Sequence, residues 1–421
     1  MDFSPSPQVE QLLEQVRAFM DEHVYPNERA ASEALDDEVG PGVPYPELII
    51  EVRERARAEG LWNLFMPDER YGPGLKNWEY GILCEEMGRS PVLAPMAFNS
   101  SAPDTGNMEI LADHGSEQQR EEWLQPLLEG EIRSCFSMTE PETSGSDPTG
   151  LAASAVLDGD EWVINGHKWF TSGAVGASLA IAMVVTEPEG HPYARASMIL
   201  VPTDNPGFNL IRPIPVMGHD KGPGHCEIRY EDCRVPETNL LGERGAGFVI
   251  AQDRLGPGRI HHCMRAIGTA ERALEMMCDR ANSREAFGGP LADKQFIQDF
   301  IAKSRIEIDQ ARLLTLYAAW KMDTEGKRAA RQAISMIKVV AANVVMDVLD
   351  RSIQTHGSLG MTEDTPLAAM WRFSRMLRLA DGPDEVHKMV IARRELNRRA
   401  KLAGGGAESD GAAAPQPAKA G

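Results

Sequence analysis

Residues 161–170, EWVINGHKWF, decide how this chain is to be read. The stretch is short, partly alternating and β-branched, which predicts a half-buried strand, and Asn165-Gly166 inside it predicts a tight turn. Two segments of similar character follow, ASMILVPTD at 196–204 and HCEIRYEDCRVP at 225–236. On both sides the spacing is helical. From about Gln8 to Gly130 apolar residues recur at helical intervals between Gly- and Pro-rich interruptions; in the first of these runs Val9, Leu12, Leu13, Val16 and Phe19/Met20 share a face. The character changes near Ser134 and returns to helix after Gly247. QFIQDFIAKSRIEIDQARLLTLYAAWKMDT, 295–324, predicts a long amphipathic helix. ISMIKVVAANVVMDVLDRSIQTHG, 334–357, is apolar nearly all round, which predicts deep burial or a subunit interface.

Helices, one β block, then helices again, with no internal repeat, predict an α+β multi-domain chain. The expected divisions are an N-terminal helical domain (1–132), a middle β domain (133–243) and a C-terminal helical domain (244–403). The remainder, 404–421, has the composition of a disordered tail.

At 421 residues there is enough chain for two or three substantial cores, and 42% apolar and 25% charged residues are ordinary for a globular protein. The formal charge of −20 opposes a nucleic-acid partner, although a local pocket can still be positive. Six cysteines without a CxxC spacing read as reduced thiols. The start, MDFSPSPQVEQLLEQ, lacks the features of a signal peptide, and no uninterrupted apolar run approaches the roughly 18 residues of a membrane span. A cytoplasmic location is expected.

Four stretches carry candidate chemistry. CFSMTEPETSGSD, 135–147, offers hydroxyls and a Gly145 turn able to hold a heterocycle or phosphate, or is an ordinary Ser/Thr/Gly loop. In HKWFTSGA, 167–174, Trp169 and Phe170 either lie over a flat cofactor beside Thr171 and Ser172 or are buried at a strand end. The His261-His262-Cys263 run reads as structural: adjacent helical positions point about 100° apart and do not chelate one metal ion, so no metal is expected. No HExxH, Walker A, GxGxxG or GxSxG occurs. Last, RLADGPDEVHKMVIARR, 378–394, places Asp381, Asp384 and Glu385 together. Asp384 and Glu385 suit the first turn of a helix. Asp381, before the Gly-Pro break, either caps that helix or projects into a cavity.

Together these stretches resemble the acyl-CoA dehydrogenase family over about residues 8–402. MTEPETSGSD, INGHKWFTSGA, LLGERGAGF followed by RLGPGRI, SREAFGGPLADKQ, QTHGSLG and ADGPDEVHKMVIARR occur in the family's order and spacing. The TEPETSGSD loop, one residue longer than the usual form, together with RLGPGRIHHCMR and RLADGPDEVH, resembles the dehydrogenase domain of human family members ten and eleven, in which a kinase-like domain precedes it. The resemblance implies an N-terminal helical domain, a middle β-barrel-like domain and a C-terminal four-helix bundle, assembled as a homo-oligomer, usually a dimer of dimers. It also implies FAD, a fatty acyl-CoA substrate, a place in β-oxidation and electron transfer flavoprotein as acceptor.

The implied reaction is α,β-desaturation of a thioester to the trans-2-enoyl form. A base removes the α-proton, the β-hydrogen leaves as hydride to flavin N5, and the thioester carbonyl is polarised as enolate character develops. Register with the family places Asp381 on the usual glutamate base and Gly382 on the glycine after it. Aspartate reaches about 1.5 Å less than glutamate, and desolvation by bound substrate is expected to raise its pKa from about 3.9. The position that carries the base in other branches is Gly258 here, which has no acid to offer. By the same resemblance Phe136, Met138, Thr139, Phe170, Thr171 and Ser172 border the flavin, and Ser146 reaches the pyrophosphate or pantetheine. Arg284, Phe287, Gln295, Gln354, Gly357 and Ser358 contact the ADP half, largely from a neighbouring subunit. Pro383 and Glu385 also border FAD. Arg259, Gly258 and Gly382 line the substrate site with Asp381. Rival readings are an acyl-CoA oxidase or nitroalkane-oxidase-like enzyme using oxygen, and a helical scaffold without flavin.

Overall fold

The computed structural model describes residues 3–402, so the tail expected at 404–421 lies outside it. Eight strands form one sheet: β1 (Ser134–Ser137), β2 (Ser154–Asp158), β3 (Glu161–Ser172), β4 (Leu179–Val185), β5 (Ala196–Pro202), β6 (Phe208–Pro213), β7 (His225–Pro236) and β8 (Leu240–Leu241). Their order is β6-β7-β3-β2-β4-β5-β8, with β1 beside β4 in parallel. Strand β4, LAIAMVV, is buried along its whole length, as an apolar run covered on both sides must be. The core gathers Trp162, Ile164, Ile199, Val201, Ile228, Tyr230 and Val235.

The Asn165-Gly166 pair is not a turn. The β2–β3 hairpin closes earlier, at Gly159-Asp160, where Asp158 pairs with Glu161 and Gly159 has φ +68°. Asn165 instead braces a bulge on β7: its Oδ1 accepts from Asp232 N at 2.9 Å and its Nδ2 donates to Asp232 Oδ1 at 3.1 Å, while Asp232 sits at φ +44°. Gly166 is needed for a close approach, since a Cβ there would lie 2.3 Å from that of Ala153.

A second bulge lies on β3 itself. Lys168 pairs with Ile228 and Thr171 with Cys226, so three steps on β3 match two on β7. The extra residue shifts the inward parity: Trp162, Ile164 and Lys168 point inward before it and Thr171 after it. Trp169 and Phe170 are left outside the core, Phe170 at φ +52° and 40% exposed. Of the two readings of this pair, burial at a strand end does not hold, and the two rings face outward.

Lys168 is buried completely, against the ordinary tendency of lysine, because all three of its donors are met. Nζ donates to Met138 O (2.8 Å), Met183 O (2.7 Å) and Glu140 Oε1 (2.8 Å). Glu140, also buried, accepts from the amides of Ala152 (2.7 Å) and Ala153 (2.9 Å). This pair fastens the loop after β1 to the sheet. Burial pushes the Lys168 ammonium down to about 8, and Glu140 opposes that shift.

The described residues fall into two units. The sheet unit holds Arg29–Arg55 and Asn99–Leu255; the helical unit holds the chain up to Glu28, Ala56–Phe98 and the part from Gly256 onward. The main helices are α1 (Pro7–Phe19), α2 (Asn77–Gly88), α3 (Gly247–Ser283, which crosses from one unit to the other), α4 (Gln295–Glu325), α5 (Lys327–His356), α6 (Leu367–Arg375) and α7 (Asp384–Leu402). Helices α4 and α5 form an antiparallel hairpin about Gly326, and α5 packs on α6 and α7 as well. Helices α2 and α3 touch backbone to backbone: a Cβ on Gly268 would meet Glu85 O at 1.8 Å. Pro257 interrupts the α3 hydrogen-bond ladder.

Helix α5 with the turn after it, Lys327–Met361, has an 18-residue window of mean hydropathy 1.5, long and apolar enough by composition to cross a membrane. Scattered polar and charged residues such as Lys338 and Asp347 break the window into shorter uninterrupted apolar runs. In the fold 67% of it is buried within the protein, so its apolarity serves a core.

Replacing Lys168 by Met removes one half of the buried pair and strands the Glu140 carboxylate. The expected loss is about 3–5 kcal/mol, read as a lower midpoint in chemical unfolding of Lys168→Met than of the parent protein.

Candidate active site

In the helical unit, the segment after α6 tightens into a 3-10 turn at Met376–Arg378 and then reverses through Asp381 (φ +56°) and Gly382 (φ +99°) before α7 begins. A left-handed aspartate is strained on its own, so something must hold it. Three side chains do. Lys338 of α5 donates to Leu377 O at 2.7 Å and Ala380 O at 2.9 Å. Arg259 of α3 donates through Nε to Asp381 O at 3.0 Å, and His387 of α7 places Nε2 3.2 Å from the same carbonyl. Gly382 is required beside them, because a Cβ there would stand 3.0 Å from His387 Nε2 at a φ that side chains avoid.

The main chain of Asp381 is thus clamped while its side chain keeps 21% of its exposure. Burial pushes the Lys338 ammonium and the Arg259 guanidinium down, and the nearby Asp381 carboxylate opposes both shifts. His387 is driven down to about 4, first by burial and then by Arg259 and Lys338, so it is neutral at pH 7 and donates its Nε2 hydrogen to the carbonyl. Cys263, pushed up to about 12 by burial, is an inert thiol.

Asp384 is the first-turn acid the sequence suggests, and more. It is buried, and its Oδ2 accepts from Arg378 Nε at 2.9 Å and Asn343 Nδ2 at 3.1 Å, which ties α7 to α5. Glu385 is exposed and Pro383 half-buried. Gly258 faces open space: a Cβ there would meet nothing within 4 Å. Arg259, expected beside the thioester, has its Nε on the Asp381 carbonyl, so its observed role is to hold the turn.

Sequence reasoning missed His262, read there as structural together with His261. The helix turns the two apart. His261 is buried edge-on against Tyr80, with ring centroids 4.7 Å apart, whereas His262 Nε2 lies 3.6 Å from Asp381 Oδ2. Nothing local in the sequence marks that pairing, since it depends on α3 lying alongside the turn.

Residues 284–295 precede and begin α4, and 354–358 end α5, which the antiparallel hairpin brings to one end of the helical unit. Arg351 Nη1 donates to Ser304 Oγ at 3.1 Å across that end. Arg284, Gln295, Gln354, Gly357 and Ser358 are all exposed, and Phe287 is 99% exposed at φ +51°.

In the sheet unit, the other candidates gather around the β3 bulge. Thr139 O accepts from Trp169 N at 2.9 Å, which sets the loop against the outward aromatics. Met138 and Thr139 are half-buried, and Phe136 lies under the Arg254 guanidinium, 4.2 Å from its centroid. Ser172 Oγ sits 2.6 Å from His225 Nδ1, and the His225 ring lies 5.6 Å from Phe170. His225 was not singled out from sequence, although the β3–β7 register puts it directly opposite Ser172. Burial and His219 push it down, keeping it neutral. Thr171 is fully buried, side chain and main chain alike, with its hydroxyl 3.2 Å from Ser137 Oγ. Ser146 is exposed in the loop. The ledge of Trp169, Phe170 and His225, bordered by a hydroxyl and main-chain groups, fits a flat heteroaromatic ring.

The acyl-CoA dehydrogenase N-terminal, middle and C-terminal domain models match residues 6–131, 135–233 and 245–396. The chain is 50% identical over 404 residues to a Mycobacterium tuberculosis protein named "Probable acyl-CoA dehydrogenase FadE2", covering 94% of this chain and 98% of that one. It is 48% identical over 407 residues to mouse acyl-CoA dehydrogenase family member 10, covering 94% of this chain but only 38% of that longer protein. A solved structure of a candidate acyl-CoA dehydrogenase from Mycobacterium abscessus superposes with TM-score 0.89 at 49% identity, covering 94% of this chain and all of that one.

The depressed His387 carries a pH dependence. Its folded value, about 4, lies below the unfolded value near 6.5, so the unfolded state binds the proton first as pH falls. Stability is expected to be full above pH 6.5 and to decline between 6.5 and 4. His387→Gln should flatten that segment of the profile in urea-unfolding midpoints taken across the range.

The sequence motifs, the α+β order of elements and the domain matches agree, and the chain belongs to the acyl-CoA dehydrogenase family.

Proposed function

We propose that this protein is an FAD-dependent acyl-CoA dehydrogenase in which Asp381 is the base. The observation that carries the reading is the turn at 381: its carbonyl is clamped by Arg259 and His387, Lys338 holds the residue before it, and the carboxylate remains reachable. A carboxylate so presented takes the α-proton of a thioester: the Cα–H bond breaks, an O–H bond forms on Asp381, and the electron pair moves toward the thioester carbonyl. Bound FAD supplies the acceptor for the β-hydrogen, which leaves as hydride.

Phe136, Met138, Thr139, Phe170, Thr171 and Ser172 are the residues we assign to the flavin ring, with His225 added beside Ser172. Ser146 is assigned to the pyrophosphate or pantetheine, and Pro383 and Glu385 are assigned to the cofactor. The exposed set Arg284, Phe287, Gln295, Gln354, Gly357 and Ser358 suits the ADP half of a cofactor held by a second copy of the chain, and the exposure of Phe287 supports that assignment. We further propose the domain limits 1–132, 133–243 and 244–403, a homo-oligomer, and electron transfer flavoprotein as the acceptor of the electrons.

Asp381→Asn keeps the size of the side chain and removes the base. The variant is expected to purify yellow and folded and to lose about 10²–10⁴-fold in turnover, measured as flavin bleaching by a panel of acyl-CoAs under nitrogen. Near-normal bleaching by Asp381→Asn removes the assignment.

A further inference from the structure

Clamping the carbonyl of Asp381 fixes its backbone and leaves χ1 and χ2 to aim the carboxylate. The side chain is one methylene shorter than glutamate, so it has less reach with which to correct a poor angle, while a reacting pair must come within about 3–3.5 Å. We infer that His262 is the positioning residue for this carboxylate: its ring Nε2–H holds Oδ2 of Asp381, so that Oδ1 is presented to the substrate's α-carbon. The inference rests on Asp381 being the base.

The tautomer follows from the partner on the other side of the ring. Arg265 Nη2 lies 3.2 Å from His262 Nδ1. A guanidinium donates and cannot accept, so Nδ1 is the acceptor and the neutral ring carries its hydrogen on Nε2. That hydrogen faces Asp381 Oδ2, 3.6 Å away. The separation is within ion-pair range and longer than a direct hydrogen bond, as is common for catalytic contacts before substrate closes them. Both side chains are 21% exposed, enough to leave room for a small rotation.

Other charged and titratable groups surround the pair, and the Asp381 carboxylate also acts on the charges of Arg259 and Lys338. On α3, Arg259 donates to the Asp381 carbonyl and the Cys263 thiol is protonated. From α5, Lys338 donates to Leu377 O and Ala380 O. From α7, His387 reaches the Asp381 carbonyl, and Asp384 pairs with Arg378. His262 is the ring whose polar hydrogen is directed at the carboxylate. A cleft too narrow for a water molecule, lined by His262, Cys263, Ala266, Lys338, Ala342 and Leu377, backs the ring.

The test compares His262→Leu, which removes the donor, with His262→Gln, whose side-chain amide supplies an N–H near the place of Nε2. In holoenzyme assayed with acyl-CoA, His262→Leu is expected to lose about 10–100-fold in kcat, with KM and flavin content close to wild type, and His262→Gln to recover most of that loss. In an Asp381→Asn background His262→Leu should add no further loss. Nitrogen-15 histidine spectra provide a readout apart from turnover: His262 should be the Nε2–H tautomer when neutral, and its titration should move to lower pH in Asp381→Asn. Wild-type kcat in His262→Leu, a Gln variant no better than Leu, or an Nδ1–H tautomer overturns the proposal while an inactive Asp381→Asn leaves the base assignment standing. An active Asp381→Asn removes the base assignment itself.

Discussion

The helical unit is organised around a set of main-chain carbonyls that need donors and two cations, buried Lys338 and half-buried Arg259, that need acceptors. Lys338 and Arg259 come from different helices, and a buried cation without a partner is costly. The carbonyls of Leu377, Ala380 and Asp381 are the tail of a short 3-10 turn and would otherwise be orphaned. Each need meets the other. The result fixes a left-handed aspartate that costs of order 1–3 kcal/mol to hold, and fixes it through the backbone.

The sheet unit applies the same logic to a loop. Lys168 satisfies two carbonyls and one carboxylate from inside the β domain, and Glu140 carries the connection on to the amides of Ala152 and Ala153. The TEPETSGSD loop is thus anchored at its start by groups that no solvent reaches, while its middle, from Glu142 to Asp147, remains largely at the surface. In both units, buried charge positions polypeptide that has no regular structure to position it.

Much of this was legible in the sequence, and what was not has physical reasons. The α4 and α5 helices and the β block follow from periodicity, because long amphipathic repeats leave few alternatives. Asn165-Gly166 misled, since the pair that closes hairpins elsewhere here braces a bulge and admits Ala153. Bulges insert one residue without changing composition, so the outward turn of Trp169 and Phe170 had no local signal. Burial of Lys168 runs against the usual behaviour of lysine and depends on acceptors 15 to 30 positions away. Asp381 stands out in the sequence by its place before Gly-Pro together with the family register. His262 was discounted because adjacent histidines do not chelate, a sound argument about metals that says nothing about a carboxylate arriving from another part of the chain.

The extra residue in β3 has an evolutionary consequence. By absorbing the change of parity locally, it separates the demands of folding from those of ligand recognition: Lys168 and Thr171 answer to the interior, whereas Trp169 and Phe170 answer to whatever lies outside. Substitution at the two outward positions is therefore insulated from the stability of the sheet's core, and selection can change what that surface recognises without having to rebuild the scaffold that presents it.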